Sequence, residues 1–167
     1  MRASVALPTG TYVSLNVSSE LACHPSGVVA ALGSLDRDVV LEITEHAAVE
    51  SYDILRGVLG EFGDRVRIAV DDAGAGFAGL QHILEIGPDL VKLDIALVRG
   101  VDGDPARRAM IGGMVAFARD TGSTLLAEGI EVEAEAETLR ALGVTLGQGF
   151  LFGRPVRTEA TAEPPTA

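Results

Sequence analysis

Cysteine is almost absent. Cys23 stands alone, so no internal disulfide can form, and a reducing compartment, the cytoplasm, is expected. Basic residues are scarce too. Lys and Arg total 13 against 24 Asp and Glu, a net charge of -11. Broad DNA or RNA binding needs a basic face, so nucleic acid is not an expected partner. The same deficit argues against an anionic membrane surface. No apolar run approaches the ~20 residues that span a bilayer. The opening MRASVALPTG has one basic residue and then Pro8 and Gly10, a poor match to a signal peptide. Neither GxGxxG nor GxxxxGK[ST] follows any apolar run, which weighs against an open nucleotide-binding sheet. What remains is 167 residues, 47% hydrophobic, enough for one folded domain with a core.

Short β-rich runs alternate with helical patterns. TYVSLNV (Thr11–Val17), VVLEI (Val39–Ile43), RIAVDD (Arg67–Asp72), LVKLD (Leu90–Asp94), STLLAE (Ser123–Glu128) and the weaker TLGQGF (Thr145–Phe150) read as strands. They are Val/Leu/Ile-rich rather than alternating, as suits parallel strands covered on both faces. VESYDILRGVLGEFG predicts a helix with Ile54, Val58 and Phe62 on one stripe. DPARRAMIGGMVAFARD predicts another, with Asp104 as N-cap, Pro105 at the first position and Met110, Met114 and Phe117 inward. Gly112–Gly113 weakens its middle. EAETLRAL predicts a third, ended by Gly143. The domain is expected over 1–157, with 158–167 a disordered tail. Strand-then-helix repetition implies a parallel sheet with helices outside, either doubly wound or a (β/α) barrel.

The strand ends are polar: Asn16, Glu42 with Glu45, Asp71 with Asp72, Lys92 with Asp94, Glu128 and Gln148. One acid after a strand is more often a helix N-cap or a solvated turn. In a barrel, however, all these ends meet on one face. Glu42, Asp71, Asp94 and Glu128 would repel there, which protonation or divalent cations would relieve. The donors are oxygens, suiting Mg²⁺ or Mn²⁺ and more than one ion. His24, His46 and His82 are not at strand ends and are given no role. Adjacent strand residues face opposite ways, so Asp72 must be turned inward, a freedom Gly74 and Gly76 would supply.

At these residues the sequence resembles the EAL family of bacterial cyclic di-GMP phosphodiesterases, from about Thr11 to Pro155. SLNVSS, LEITE, DDAGAG, VKLD, AEGIE and QGFLFGRP are similar to six ordered motifs of that family. The resemblance implies an EAL-type TIM (β/α) barrel. It implies two divalent metal ions, Mg²⁺ or Mn²⁺, held by Asn16, Glu42, Asp71, Asp72, Asp94 and Glu128. Glu45 would brace the aspartate loop. Lys92 and Glu128 would orient the attacking water, with Gln148 close to it and Glu131 a nearby site acid. The activity implied is hydrolysis of cyclic di-GMP to pGpG in second-messenger signalling.

Two departures stand out. Ala73 and Ala75 replace the usual Phe and Thr of the aspartate loop, and no EAL tripeptide is present. That motif and an Arg after it would supply a metal-binding Glu and a phosphate contact. Six strands against eight imply an incomplete barrel lacking its first strands. Open edges would invite a homodimer or a partner that completes the barrel. The alternative is therefore an inactive module that acts as a cyclic di-GMP receptor or a protein-interaction domain. A run such as EVEAEAE reads as a solvated helix face.

Overall fold

A computed structural model describes residues 10–17, 32, 37–44, 57, 60–73 and 83–156. Six strands form one sheet: β1 Val13–Val17, β2 Val39–Thr44, β3 Val66–Ala73, β4 Leu90–Leu93, β5 Thr124–Ala127 and β6 Leu146–Gly147. All pair parallel, in the order β1-β2-β3-β4-β5-β6. Sequential parallel order is that of a (β/α) barrel; a doubly wound sheet reverses direction partway. The chain therefore forms an arc of a TIM-type barrel, with β1 and β6 as its edges among the described residues.

Three helices are described with both ends, α1 Ile95–Val98, α2 Pro105–Thr121 and α3 Glu133–Leu142, and residues 83–86 are helical as well. The Asp104 side chain accepts from Ala106 and Arg107 N–H, and Pro105 follows where its missing N–H costs nothing. α2 stops at Gly122 and α3 at Gly143, both left-handed. Gly112–Gly113 does not interrupt α2. Its buried face is Ile111, Met114 and Ala118, with Phe117 partly buried against the same core; of the expected residues only Met110, 47% exposed, lies outside it. The sheet contacts a face turned one residue from the expected stripe.

Burial follows from the strand period of two. Val39, Leu41, Ile43, Val70, Val91 and Leu93 point outward into the main core, where Ile111, Met114 and Leu139 meet them. Val40, Ala69, Leu90 and Leu126 form a second, small apolar cluster on the inner face. β4 is buried at all four positions, so Lys92 lies inside, not on the surface.

The strand boundaries differ little from expectation. β1 begins at Val13, and TLGQGF keeps only the two residues of β6. The short α1 carries no sequence periodicity, being a single turn. The expected helix over residues 49–63 falls largely outside the described residues; its end, Gly60–Arg65, is a 3-10 turn kinked at Gly63. Glu45, Gly74, Ala75, Gly76, Cys23, the three histidines and the tail 158–167 also lie outside the described residues.

The turn after β6 packs tightly. A Cβ on Gly149 would stand 2.1 Å from the Ile130 carbonyl oxygen and 2.3 Å from its nitrogen. Backbone cannot rotate away as a side chain can. Gly149→Ala is therefore expected to cost about 1–3 kcal/mol or more, read by urea unfolding; an unchanged midpoint would show that this turn is not packed as described.

Candidate active site

The inner apolar cluster sets the site. Advance two residues along each of its strands, and Val40 leads to Glu42, Ala69 to Asp71, Leu90 to Lys92 and Leu126 to Glu128. The four polar residues share the inner face one layer above the apolar ones. Glu42 is in register with Ala69 rather than Asp71. The polar ends meet because barrel strands tilt, so a level layer steps across the hydrogen-bond register.

Lys92 Nζ lies 2.8 Å from Glu42, 3.0 Å from Asp71 and 2.8 Å from Glu128. An ammonium has three N–H donors, and here three carboxylates surround them. The Lys92 side chain is 7% exposed, and the acids range from 14% to 19%. Burial opposes the lysine charge, but Glu128, Glu42 and Asp71 outweigh it and hold the ammonium well above the usual lysine range. Burial also pushes the Glu128 carboxyl up, Lys92 opposes that, and Asp71 and Glu42 add to it.

The flanking strands extend the arc. Asn16 on β1 is in register with Glu42, and the Ser14 hydroxyl donates to Glu42 Oε1. Gln148, just after β6, donates from Nε2 to Glu128 Oε1 at 2.7 Å. So six strand ends in a row supply Asn16, Glu42, Asp71, Lys92, Glu128 and Gln148 to one face. Gln148 is thus more than a turn residue.

Between Val70 and Ala73 the register of β3 on β4 shifts: three steps on β3 match two on β4. This bulge falls on Asp71–Asp72, and a bulge bends the strand and re-aims side chains. The Asp72 side chain lies outside what is described.

Two further expected site acids have partners of their own. Asp94 caps α1, its Oδ1 accepting from Ala96 N–H at 2.6 Å. Glu131 pairs with Arg99 and is half exposed. Glu131 borders a cavity of about 660 Å³, which Ile95, Gly129, Gln148, Phe150 and Arg154 also line in part. The Arg154 guanidinium lies 4.3 Å from the Phe150 ring centroid, a cation–π stack at the cavity's side.

Three carboxylates against one ammonium leave two negative charges in excess. The donors are hard oxygens, which fits a divalent cation of the Mg²⁺, Mn²⁺ or Ca²⁺ kind. Among the described residues no three acids, histidines or cysteines already stand in ligand geometry; Glu42, Asp71 and Glu128 are arrayed around Lys92 instead.

Sequence reasoning missed Glu135. EVEAEAE was expected to be a solvated face, yet Glu135 is 4% exposed. A buried acid is indistinguishable by composition from its solvated neighbours; only its third position in the helix, suited to reach back over the N-terminus, hints at it. Burial would raise its carboxyl, but N–H donors of Glu131, Gly100 and Val132 outweigh burial and lower it. A lowered carboxylate contributes stability above its unfolded-state value and loses it as pH falls through the folded one. Glu135→Gln should cost about 1.5–3 kcal/mol at neutral pH and progressively less below about pH 4. Urea unfolding at both pH values checks this; a pH-independent cost would contradict it.

The EAL domain family model matches residues 2–155. The chain belongs to the EAL family. It is 32% identical over 122 residues to the bifunctional diguanylate cyclase/cyclic di-GMP phosphodiesterase MucR of Pseudomonas aeruginosa, covering 72% of this chain and 18% of that protein. It is 31% identical over 159 residues to the probable cyclic di-GMP phosphodiesterase PdeG of Escherichia coli, covering 90% and 31%. This EAL chain thus spans less than a third of the length of either relative. Among solved structures it is similar to Klebsiella pneumoniae BlrP1 in a manganese/cyclic di-GMP complex, with TM-score 0.77, 32% identity, and 92% of this chain and 42% of that chain covered. Among the described residues no helix is long and apolar enough to cross a membrane.

Proposed function

We propose that this EAL chain hydrolyses cyclic di-GMP to linear pGpG. The observation that carries the reading is the convergence of Glu42, Asp71 and Glu128 on Lys92 at the C-terminal ends of parallel strands, where barrel enzymes place their chemistry. Asn16, Glu42, Asp71, Asp72, Asp94 and Glu128 would hold two divalent cations, Mg²⁺ or Mn²⁺, with Glu45 bracing the aspartate loop. When bound, such cations polarise the phosphoryl group and stabilise the attacking and leaving oxygens.

The chain's own residues orient the reaction. Lys92, once its carboxylates turn to other partners, has an N–H free to hold a water in line with the P–O bond that breaks. Glu128, its carboxyl pushed up by burial, is suited to take a proton from that water. The water oxygen bonds to phosphorus, the 3′ oxygen leaves, and the proton ends on the leaving hydroxyl. Gln148, anchored to Glu128, faces the same space, and the adjacent cavity has room for a guanine base. Glu131 would sit at the base edge. A cytoplasmic location, and closure of the open edges by a second copy or another partner, belong to the same reading.

A second reading is a module that binds cyclic di-GMP or a partner without turnover. Equilibrium dialysis against cyclic di-GMP, with Mn²⁺ and with EDTA, tests the shared site. Retention should require Mn²⁺ and fall at least about ten-fold in Asp71→Asn. Retention with no pGpG formed selects the second reading. Retention indifferent to both EDTA and Asp71→Asn overturns the site.

A further inference from the structure

The connection from β5 to α3, residues 128–132, carries Glu128 and Glu131 on a short loop with Gly129 left-handed at φ 69. One side chain outside the arc grips that loop. Glu135 Oε2 accepts from Glu131 N–H at 3.0 Å and from Val132 N–H at 3.3 Å. Its Oε1 accepts from Gly100 N–H at 2.9 Å, in the connection between α1 and α2. Capping the N-terminus of α3 requires only the Val132 bond: an acid at the third helical position reaching back to the N-cap N–H. Val132 has no side-chain acceptor with which to return it. The bonds to Glu131 and Gly100 go beyond the helix and join two separate top loops.

Two other contacts run between the same loops. Arg99 pairs with Glu131. A Cβ on Gly129 would lie 2.4 Å from Ile95 Cγ1, so this loop rests directly on α1. Both contacts are peripheral or apolar; the buried, doubly engaged carboxylate is the polar tie. Glu128 itself is held from below by its N–H bond to the Leu93 carbonyl at 3.2 Å, and from beyond by the loop that Glu135 fastens.

We propose that Glu135 is a positioning residue: by fastening the β5–α3 loop to the α1–α2 connection, it sets where Glu128 and Glu131 stand relative to Lys92 and the cavity. The inference rests on the reading of Glu128 as a site acid.

The test compares Glu135→Ala, Glu135→Gln and Glu137→Ala, an exposed control on the same helix, by amide hydrogen exchange and by cyclic di-GMP turnover with Mn²⁺. In Glu135→Ala, exchange should rise about ten-fold or more at Gly100 and Glu128, as well as at Glu131 and Val132. kcat should fall about ten-fold or more, with a smaller change in KM. Glu135→Gln keeps one accepting oxygen and should fall between Ala and the parent; Glu137→Ala should match the parent. A role confined to capping the start of α3 would speed exchange in that helix while leaving Gly100, Glu128 and kcat unchanged, and that result overturns the proposal. Should Glu135→Ala fail to fold, Glu135→Gln carries both measurements. A parent without turnover defeats the proposed function alone; exchange at Gly100 and Glu128 then decides whether Glu135 holds the loop.

Discussion

Lys92→Met is expected to unfold more easily than any other single change in the arc. Removing the ammonium leaves Glu42, Asp71 and Glu128 facing one another, each less than a fifth exposed. Breaking a buried ion cluster by deleting one partner costs about 3–5 kcal/mol, because the remaining charges are uncompensated. The cost should shrink as pH falls, since Glu128, its carboxyl already pushed up by burial, can shed charge by taking up a proton. It should shrink also with Mn²⁺, because a cation that binds the folded state substitutes for the lost charge. Turnover should fall about 100-fold or more from loss of the group that places the water. Urea unfolding with EDTA and with Mn²⁺ reads the first part. A variant as stable as the parent in EDTA would mean that Lys92 is not the charge that holds the acids together.

Asp71→Asn and Glu42→Gln probe the same cluster from the other side, and they separate chemistry from folding. Each amide keeps an oxygen that can accept from Lys92 Nζ, so the layer stays filled and hydrogen-bonded. The apolar layer beneath, Val40, Ala69, Leu90 and Leu126, is untouched. What is lost is one negative charge from a set that must attract cations. Turnover is expected to drop about 10³-fold or more, equivalent to about 4 kcal/mol of barrier, with the unfolding midpoint changed little. If either variant forms pGpG at a rate near that of the parent, the assignment of that acid fails.

Much of the architecture could be read before any coordinates. Val/Leu/Ile-rich runs marked five of the six strands, as suits parallel strands covered on both faces. β6 was the weak one: an edge strand of two residues with Leu146 exposed has little burial to imprint on its sequence. Asp104–Pro105 announced α2 through cap chemistry that is local to the chain. The inward face of α2 was harder, because Met110, Ile111, Met114 and Phe117 offer two adjacent stripes, and only the sheet beneath selects one.

The candidate site followed the same division. Lys92 was expected among the polar strand ends of one face, and the structure surrounds it with three of the acids expected there. That Asp94 would also cap α1 depends on a single helical turn with no periodic signature. The pair Asp71–Asp72 raised the question of how neighbours on a strand could serve one face; the shift in register between β3 and β4 at that point supplies the backbone irregularity. Glu135 was hidden among like residues, since its burial is a property of the loop folded over it and not of its own segment.

The measurement that bears most directly on the whole account is formation of pGpG from cyclic di-GMP by this 167-residue chain, followed by chromatography with Mn²⁺ and with EDTA, beside Asp71→Asn as control. The account predicts product with Mn²⁺, none with EDTA and almost none from the variant. A folded, nucleotide-binding parent that forms no product with Mn²⁺, or one whose product persists in both EDTA and Asp71→Asn, would contradict it.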